Sequence, residues 1–262
     1  MGGRDTTTEG AGIVLGPPPP DVPRPLWERL ARAAKSVPCP LAVFDADGTL
    51  WADDLGETHL VVIDEWGNVS PGDGYVSVLD EYHQRCERDV DDGYAWGTSV
   101  LAAAGEEETI AAAVEAWRRH RGQLLEPVAN VVRGLLEAGV EVAVVSASNR
   151  WVIEVAVAEL GIEPGGIVAV DLVRADGRLT PEVVQPMPNG EGKVAAIDAL
   201  LGRRPVIAFG NSVHDAPMLR CATEGVLVLA TTPGQRQLSP ALDAMCGEEG
   251  WAQLLVPHPL VG

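Results

Sequence analysis

Five runs of this chain are apolar without alternation: LAVFD ending at Asp45, VEVAVVS ending at Ser146, IVAVDLV from Ile167, PVIAFG ending at Gly210, and VLVLA after Gly225. A strand with one wet face alternates apolar and polar residues, so runs that do not alternate demand cover on both faces, as in a parallel sheet. The segments between them supply that cover. Pro127 opens a helical pattern through NVVRGLLEAG that Gly139 closes, and WVIEVAVAELG closes at Gly161, with proline at the helix start and glycine just past its end. Strands and helices in alternation predict an α/β fold with a doubly wound parallel sheet. At 262 residues and 46% hydrophobic, the chain can build one full core and a smaller satellite.

The alternation lapses between residues 53 and 125, where amphipathic helical patterns such as LAAAGEEETIAAAVEAWRRHR take over. This block is expected to be a helical cap inserted after the first strand, with the α/β core built from residues 25–52 and 126–262. Such a cap stands over the carboxyl ends of the strands, where open α/β sheets bind ligands. Residues 1–24, MGGRDTTTEGAGIVLGPPPPDVPR, are expected to be a disordered, proline-stiffened tail rather than a signal peptide. Met1, Gly2 and Thr6 fit the loose myristoylation pattern, which is too short to argue from. The net charge of -19 repels phosphate backbones and anionic lipid, which argues against nucleic-acid and membrane partners. Cys39, Cys86, Cys221 and Cys246 lie far apart without a CxxC pair, which fits a reducing, cytoplasmic location.

The ends of the strands carry the chemistry. After the first strand comes DADGT, in which Asp45 and Asp47 are aimed at one small volume and Gly48 allows backbone angles that turn N–H groups toward a common centre. Two carboxylates so close need a cation or a shared proton, and magnesium favours hard oxygen ligands of this kind. Ser146 in VVSAS offers a hydroxyl followed by the amide of Ala147 at the next strand end. Lys193 in NGEGK begins a helix after a glycine-rich loop and can compensate negative charge. GNSVHDAPML places Gly210, Asn211, Ser212 and Asp215 at the end of a further strand.

In order and spacing these four segments resemble the haloacid dehalogenase superfamily of hydrolases, and within it the phosphatases of the phosphoserine phosphatase type, over essentially all of residues 41–230. The resemblance implies that Asp45 is a nucleophile forming an aspartyl-phosphate and that Asp47 is the general acid and base. It further implies that Gly48, Thr49, Ser146, Ala147 and Lys193 bind the phosphoryl group, while Mg2+ is held by Asp45, Asp47 through its carbonyl, Asn211 and Asp215. One departure stands out. Relatives commonly carry an acidic ligand where this chain has Asn211; Asn can still offer a carbonyl oxygen, but one negative charge is lost, which implies either weaker metal binding or reliance on Asp215.

The implied activity is hydrolysis of a small phosphorylated metabolite, with phosphoryl transfer to another acceptor, or a fold that binds without turning over, as alternatives. Specificity is expected from the cap and the loop after DGTLW. Asp54, with Glu57 nearby, sits near where relatives meet a substrate ammonium, so an amino- or ammonium-bearing substrate is conceivable; Arg85 or Arg88 would receive a carboxylate. Trp51, Tyr82, Tyr94 and Trp96 offer an aromatic wall, with packing inside the cap as the alternative. His59, His83 and His214 show no metal-ligand spacing. ADGRL reads as a tight hairpin turn forming an edge flap, and the stretch from Trp251 as a terminal helix and tail.

Overall fold

A computed structural model describes residues 13–231 and 239–259. The apolar runs form strands β1 (Leu41–Phe44), β2 (Glu141–Asn149), β3 (Ile167–Val170), then β4 (Leu172–Ala175) and β5 (Arg178–Val183), followed by β6 (Ile207–Gly210), β7 (Glu224–Thr231) and β8 (Ala252–Pro257). Six of them make one sheet in the order β3-β2-β1-β6-β7-β8, and every pairing in it is parallel. The chain builds outward from β1 to one edge and then returns to build the other. That reversal makes the carboxyl end of β1, between β2 and β6, the switch point at which such sheets open a crevice. Every residue of β1, β3 and β6 is buried, as their lack of alternation requires.

Helices α1 (Arg24–Ala34), α7 (Glu126–Glu137), α8 (Arg150–Ala158), α9 (Glu191–Leu200), α10 (Ala216–Cys221) and α11 (Pro240–Glu249) belong to the sheet-bearing part. The insertion folds as α2 (Leu55–Glu65), α3 (Val78–Arg88), α4 (Val90–Ser99), α5 (Leu101–Ala104) and α6 (Glu106–His120). Its apolar faces do not close on a core of their own: Leu60, Ala112 and Trp117 share one cluster with Trp51, Val152 and Trp151 from the sheet side. Buried His59 strengthens that join, its ring nitrogens lying 3.0 Å from the Thr109 carbonyl oxygen and 3.2 Å from Asn149 Oδ1. Burial pushes its pKa down to about 4, so the ring is neutral at physiological pH.

Three expectations need correction. IVAVDLV is two strands, because the chain leaves the main sheet at Asp171 and β4 pairs antiparallel with β5 instead. Asp176 and Gly177, both with positive φ, make the tight turn expected of ADGRL, and the hairpin is tied to the cap by Arg174 on Glu106 at 2.6 Å. The stretch from Trp251 is an edge strand rather than a helix: Ala252, Leu254 and Val256 are buried alternately with more exposed neighbours. The tail is ordered over part of its length, with Leu15 and Val22 buried and the Trp27 indole donating to the Gly16 carbonyl at 2.8 Å; residues 1–12, including the myristoylation pattern, lie outside the described residues. The proline-rich stretch is anchored at its two ends, where Leu15 and Val22 join one apolar cluster with Trp27 and Leu30 of α1.

At the centre of the sheet Phe44 pairs in register with Phe209, and their rings stack 4.6 Å apart at 15°, both fully buried. This stack levels the ends of β1 and β6. Phe44→Ala is expected to destabilise the protein by roughly 3–5 kcal/mol through cavity formation, read as a lower urea midpoint with an unchanged slope.

Candidate active site

Where β1 ends, the Asp45 amide still donates to the Phe209 carbonyl at 2.9 Å, which seats the Asp45 side chain beside the β6 loop. Lys193 lies in the first turn of α9 and only 2% of its surface is exposed. Its ammonium donates to Asp45 Oδ1 at 2.6 Å, Asp215 Oδ1 at 2.6 Å and the Val145 carbonyl at 2.9 Å. All three of its protons are therefore committed, and it acts as the counter-ion joining two carboxylates rather than as a free phosphate donor.

The electrostatics follow from that triad. Burial opposes protonation of Lys193, yet the Asp215 and Asp45 carboxylates together outweigh it and hold the amine above its ordinary range. Burial pushes Asp215 up, but Lys193 and the loop N–H donors outweigh it and keep its carboxyl below the usual range. One ammonium cannot neutralise two carboxylates. The surplus falls on Asp45, whose pKa is pushed up to about 7, first by burial and then by Asp215, against the opposing pull of Lys193.

Asp215 Oδ2 accepts from the Asn211 amide at 3.0 Å and from the Ser212 amide and hydroxyl at 2.9 Å each. With Lys193 on its other oxygen, Asp215 has no side left for a metal, so the expected ligand role is withdrawn. Asp47 is also occupied. Its Oδ1 takes the Trp51 indole at 2.7 Å and the Leu55 amide at 2.8 Å, and its Oδ2 takes the Ser148 hydroxyl at 2.6 Å. Trp51 is completely buried and so cannot be a wall for substrate; it folds back over the turn to orient Asp47.

The DADGT loop closes on itself. The Gly48 amide donates to the Trp51 carbonyl at 2.8 Å and the Thr49 amide to the Ala46 carbonyl at 3.0 Å, so neither is available to an anion as expected. Gly48 has φ of +75°, and a Cβ there would overlap the Asn211 side chain, which is why glycine is required. The Thr49 hydroxyl holds the Asp45 carboxylate instead, donating to Oδ2 at 2.9 Å. On the neighbouring strand the β2–β3 register shifts between Val145 and Asn149, releasing Ser146, Ala147 and Ser148 toward the crevice. Ser146 Oγ accepts from the Ser148 amide at 3.0 Å.

A cavity of about 190 Å³ joins these groups: Asp45, Asp47, Ser146, Ala147, Ser148, Lys193, Asn211 and Asp215 line it, together with Asp54, Tyr94, Asn189, Ser212 and His214. A wider recess of about 350 Å³ adjoins it and shares Asp47, Asp54 and Asn211. Asp54 caps α2 through the Glu57 amide at 2.8 Å, and burial, then the charge of Asp47, pushes its carboxyl well above the usual range. Glu57 is not brought in; its carboxylate meets His83 at 2.8 Å. Arg85 is committed to Glu81 and Asp92 and stacks 5.0 Å over Trp96, so it does not receive a substrate carboxylate. Ser148 and Asn189 were not anticipated. Ser148 stands two residues past Ser146 on the same strand, a spacing that puts both on one face, whereas nothing in PNGEGK set Asn189 apart from an ordinary turn residue.

Among the described residues no cluster of three or more His, Cys, Asp or Glu side chains can hold a metal. Oxygens of other kinds do converge. One end of the Asn211 amide lies 3.2 Å from Asp45 Oδ2, 3.2 Å from the Asp47 carbonyl oxygen and 3.3 Å from the Thr49 hydroxyl. With the amide oxygen at that end, one carboxylate, one backbone carbonyl and one amide form a hard-oxygen donor set, which fits Mg2+ with one formal negative charge.

A central parallel sheet, a helical insertion after its first strand and two carboxylates at the switch point define an α/β protein with its cavity at the carboxyl ends of the strands. The chain belongs to the haloacid dehalogenase-like hydrolases, whose family model matches residues 42–220. It is 29% identical over 210 residues, 79% of this chain and 90% of the relative, to a phosphoserine phosphatase of Halobacterium salinarum. Among solved structures, a protein of unknown function from Bordetella pertussis Tohama I superimposes with a TM-score of 0.69 at 25% identity over 82% of this chain and 98% of that one. A substrate-bound phosphoserine phosphatase shares the fold with a TM-score of 0.52 at 17% identity, covering 83% of this chain and 92% of that one.

Because Asp45 binds its proton more tightly in the folded protein than in the unfolded chain, its contribution favours folding most at low pH and is lost as pH rises from about 4 toward 7. Asp45→Asn removes that dependence. In metal-free buffer the variant should gain stability relative to the parent between pH 5 and pH 8, measured by urea unfolding of both proteins at each pH.

Proposed function

We propose that this protein is a phosphatase hydrolysing a small phosphate monoester through an aspartyl-phosphate on Asp45. The observation that carries the reading is the placement of a lysine-paired carboxylate and a second, separately held carboxylate in one cavity of about 190 Å³. A carboxylate oxygen of Asp45 attacks phosphorus, the P–O bond to the alcohol breaks, and the leaving oxygen takes a proton from Asp47. Water then attacks the acyl phosphate, gives its proton to Asp47, and phosphate departs with Asp45 restored.

The surroundings of Asp47 favour one oxygen for that proton. Both N–H donors on Oδ1 are fixed, whereas Ser148 on Oδ2 is a hydroxyl that can turn and accept. The proton therefore sits on Oδ2, beside the cavity. The amides of Ala46 and Asp47, which have no partner among the described residues, are offered to the phosphoryl oxygens with the Ser146 hydroxyl and the Ala147 amide. Mg2+ held by Asp45, the Asp47 carbonyl and Asn211 would offset the charge on those oxygens.

Asp54 supports an amino- or ammonium-bearing substrate, since a cation beside it would restore the charge that burial disfavours. The four cysteines, none in a disulfide, fit a cytoplasmic enzyme.

Release of phosphate from a panel of monoesters with Mg2+ tests the reading. Asp45→Asn should abolish turnover of p-nitrophenyl phosphate, and Asp47→Asn should lower kcat by about 10²–10⁴; turnover that survives Asp45→Asn sinks the assignment. Asp54→Asn keeps the helix cap. It should raise KM for amino-bearing esters about tenfold or more while leaving KM for p-nitrophenyl phosphate nearly unchanged, about 1.4 kcal/mol of lost ammonium binding.

A further inference from the structure

We propose that the Asn211 side chain is a two-position plug for the cation seat. It completes the seat with its oxygen inward, and it closes the seat with its nitrogen inward. Asp45 Oδ2 and the Asp47 carbonyl oxygen both lie 3.2 Å from the same end of the amide, and both are acceptors. An amide oxygen placed there faces two acceptors and turns the amide nitrogen toward donors, a mismatch that a cation on the oxygen side offsets. An amide nitrogen placed there donates to both.

The exchange is nearly free of steric cost. Amide oxygen and nitrogen have almost the same size, so a half-turn about the last side-chain bond changes the chemistry at the seat without repacking it. The backbone stays in place: the Asn211 N–H is anchored on Asp215 Oδ2 at 3.0 Å, and the glycine at position 48 makes room for the other end of the amide. The Thr49 hydroxyl lies within reach of both groups: it donates to Asp45 Oδ2 at 2.9 Å, leaving a lone pair for an inward amide nitrogen, or turns to donate to an inward amide oxygen at 3.3 Å. An aspartate at position 211 could not do this. It would place a second carboxylate against Asp45 and leave the metal-free protein with unrelieved repulsion around one shared ammonium.

Two consequences follow. The metal-free protein satisfies its own site and does not depend on a cation for stability. Cation binding has to displace two hydrogen bonds, so apparent affinity is the intrinsic affinity multiplied by the fraction of molecules with oxygen inward. The inference rests on reading the three oxygens as the site's cation seat, and its test needs no turnover, so its failure and that of the phosphatase reading are separable.

The test compares the full-length parent with Asn211→Asp and Asn211→Ala by thermal melting in EDTA and in millimolar MgCl2, and by Mn2+ binding followed by electron paramagnetic resonance. The parent should melt nearly alike with and without Mg2+. Asn211→Asp should melt lower in EDTA, recover in Mg2+, and bind Mn2+ about 10- to 100-fold more tightly. Asn211→Ala, which strips the donors without adding charge, should melt lower in EDTA and bind Mn2+ no better than the parent. An Asn211→Asp protein that cannot be prepared without metal but folds in Mg2+ supports the plug. Parent-like melting of Asn211→Ala in EDTA overturns it, as does Asn211→Asp binding Mn2+ no more tightly than the parent.

Discussion

A single buried ammonium joins two strand ends that would otherwise repel each other. Lys193 comes from the start of α9, Asp45 from the end of β1 and Asp215 from the loop after β6, and a third bond to the Val145 carbonyl ties in β2. Taking three charges out of water is expensive, and such a cluster persists only where geometry and hydrogen bonding are complete. Completeness is achieved here by spending every proton of the lysine and both oxygens of Asp215. What remains unsatisfied is concentrated on Asp45, the group that a phosphoryl centre or a cation would next meet.

Around that triad the two carboxylates of DADGT are given different surroundings. Asp45 has the lysine, the Thr49 hydroxyl and a deficit of positive charge, while Asp47 is held by an indole, a backbone amide and a serine hydroxyl. Separation of environments is what allows neighbouring acids to play different parts. The cap contributes to this division. Leu55 at the start of α2 supplies one of the donors to Asp47, and Trp51 is wedged edge-on against Trp117 of α6 at 5.6 Å, so packing of the cap and aim of the carboxylate are one event.

Much of the scaffold was legible because burial on both faces leaves a compositional mark that needs no knowledge of the partner. LAVF, VIAF and the run after Gly225 are strands of the main sheet, and the insertion after the first strand is helical. β8 escaped notice because an edge strand covered on one face alternates, and QLLVP after a tryptophan reads equally well as an amphipathic turn of helix. The site was legible at its charged and polar landmarks, Asp45, Asp47, Ser146, Lys193, Asn211 and Asp54, all of which line one cavity. The misread residues are those whose competing partner lies far away or turns inward. Arg85 looked free for a substrate but belongs to Glu81, Asp92 and Trp96, and Trp51 looked like a pocket wall but is sealed beneath the loop.

The order of elements alone determined the parallel sheet, the place of the insertion and the convergence of carboxylates on the carboxyl edge, since each follows from local periodicity and from where strands must end. Which oxygen each donor reaches was decided only by the tertiary structure. Lys193 and Asp45 are 148 residues apart, Ser148 and Asp47 are 101 apart, and Thr49 and Asn211 are 162 apart. Hydrogen-bond saturation is a property of such distant neighbours. Asp215 therefore reads as a metal ligand in the linear chain and proves to be a fully occupied counter-ion once the chain is folded.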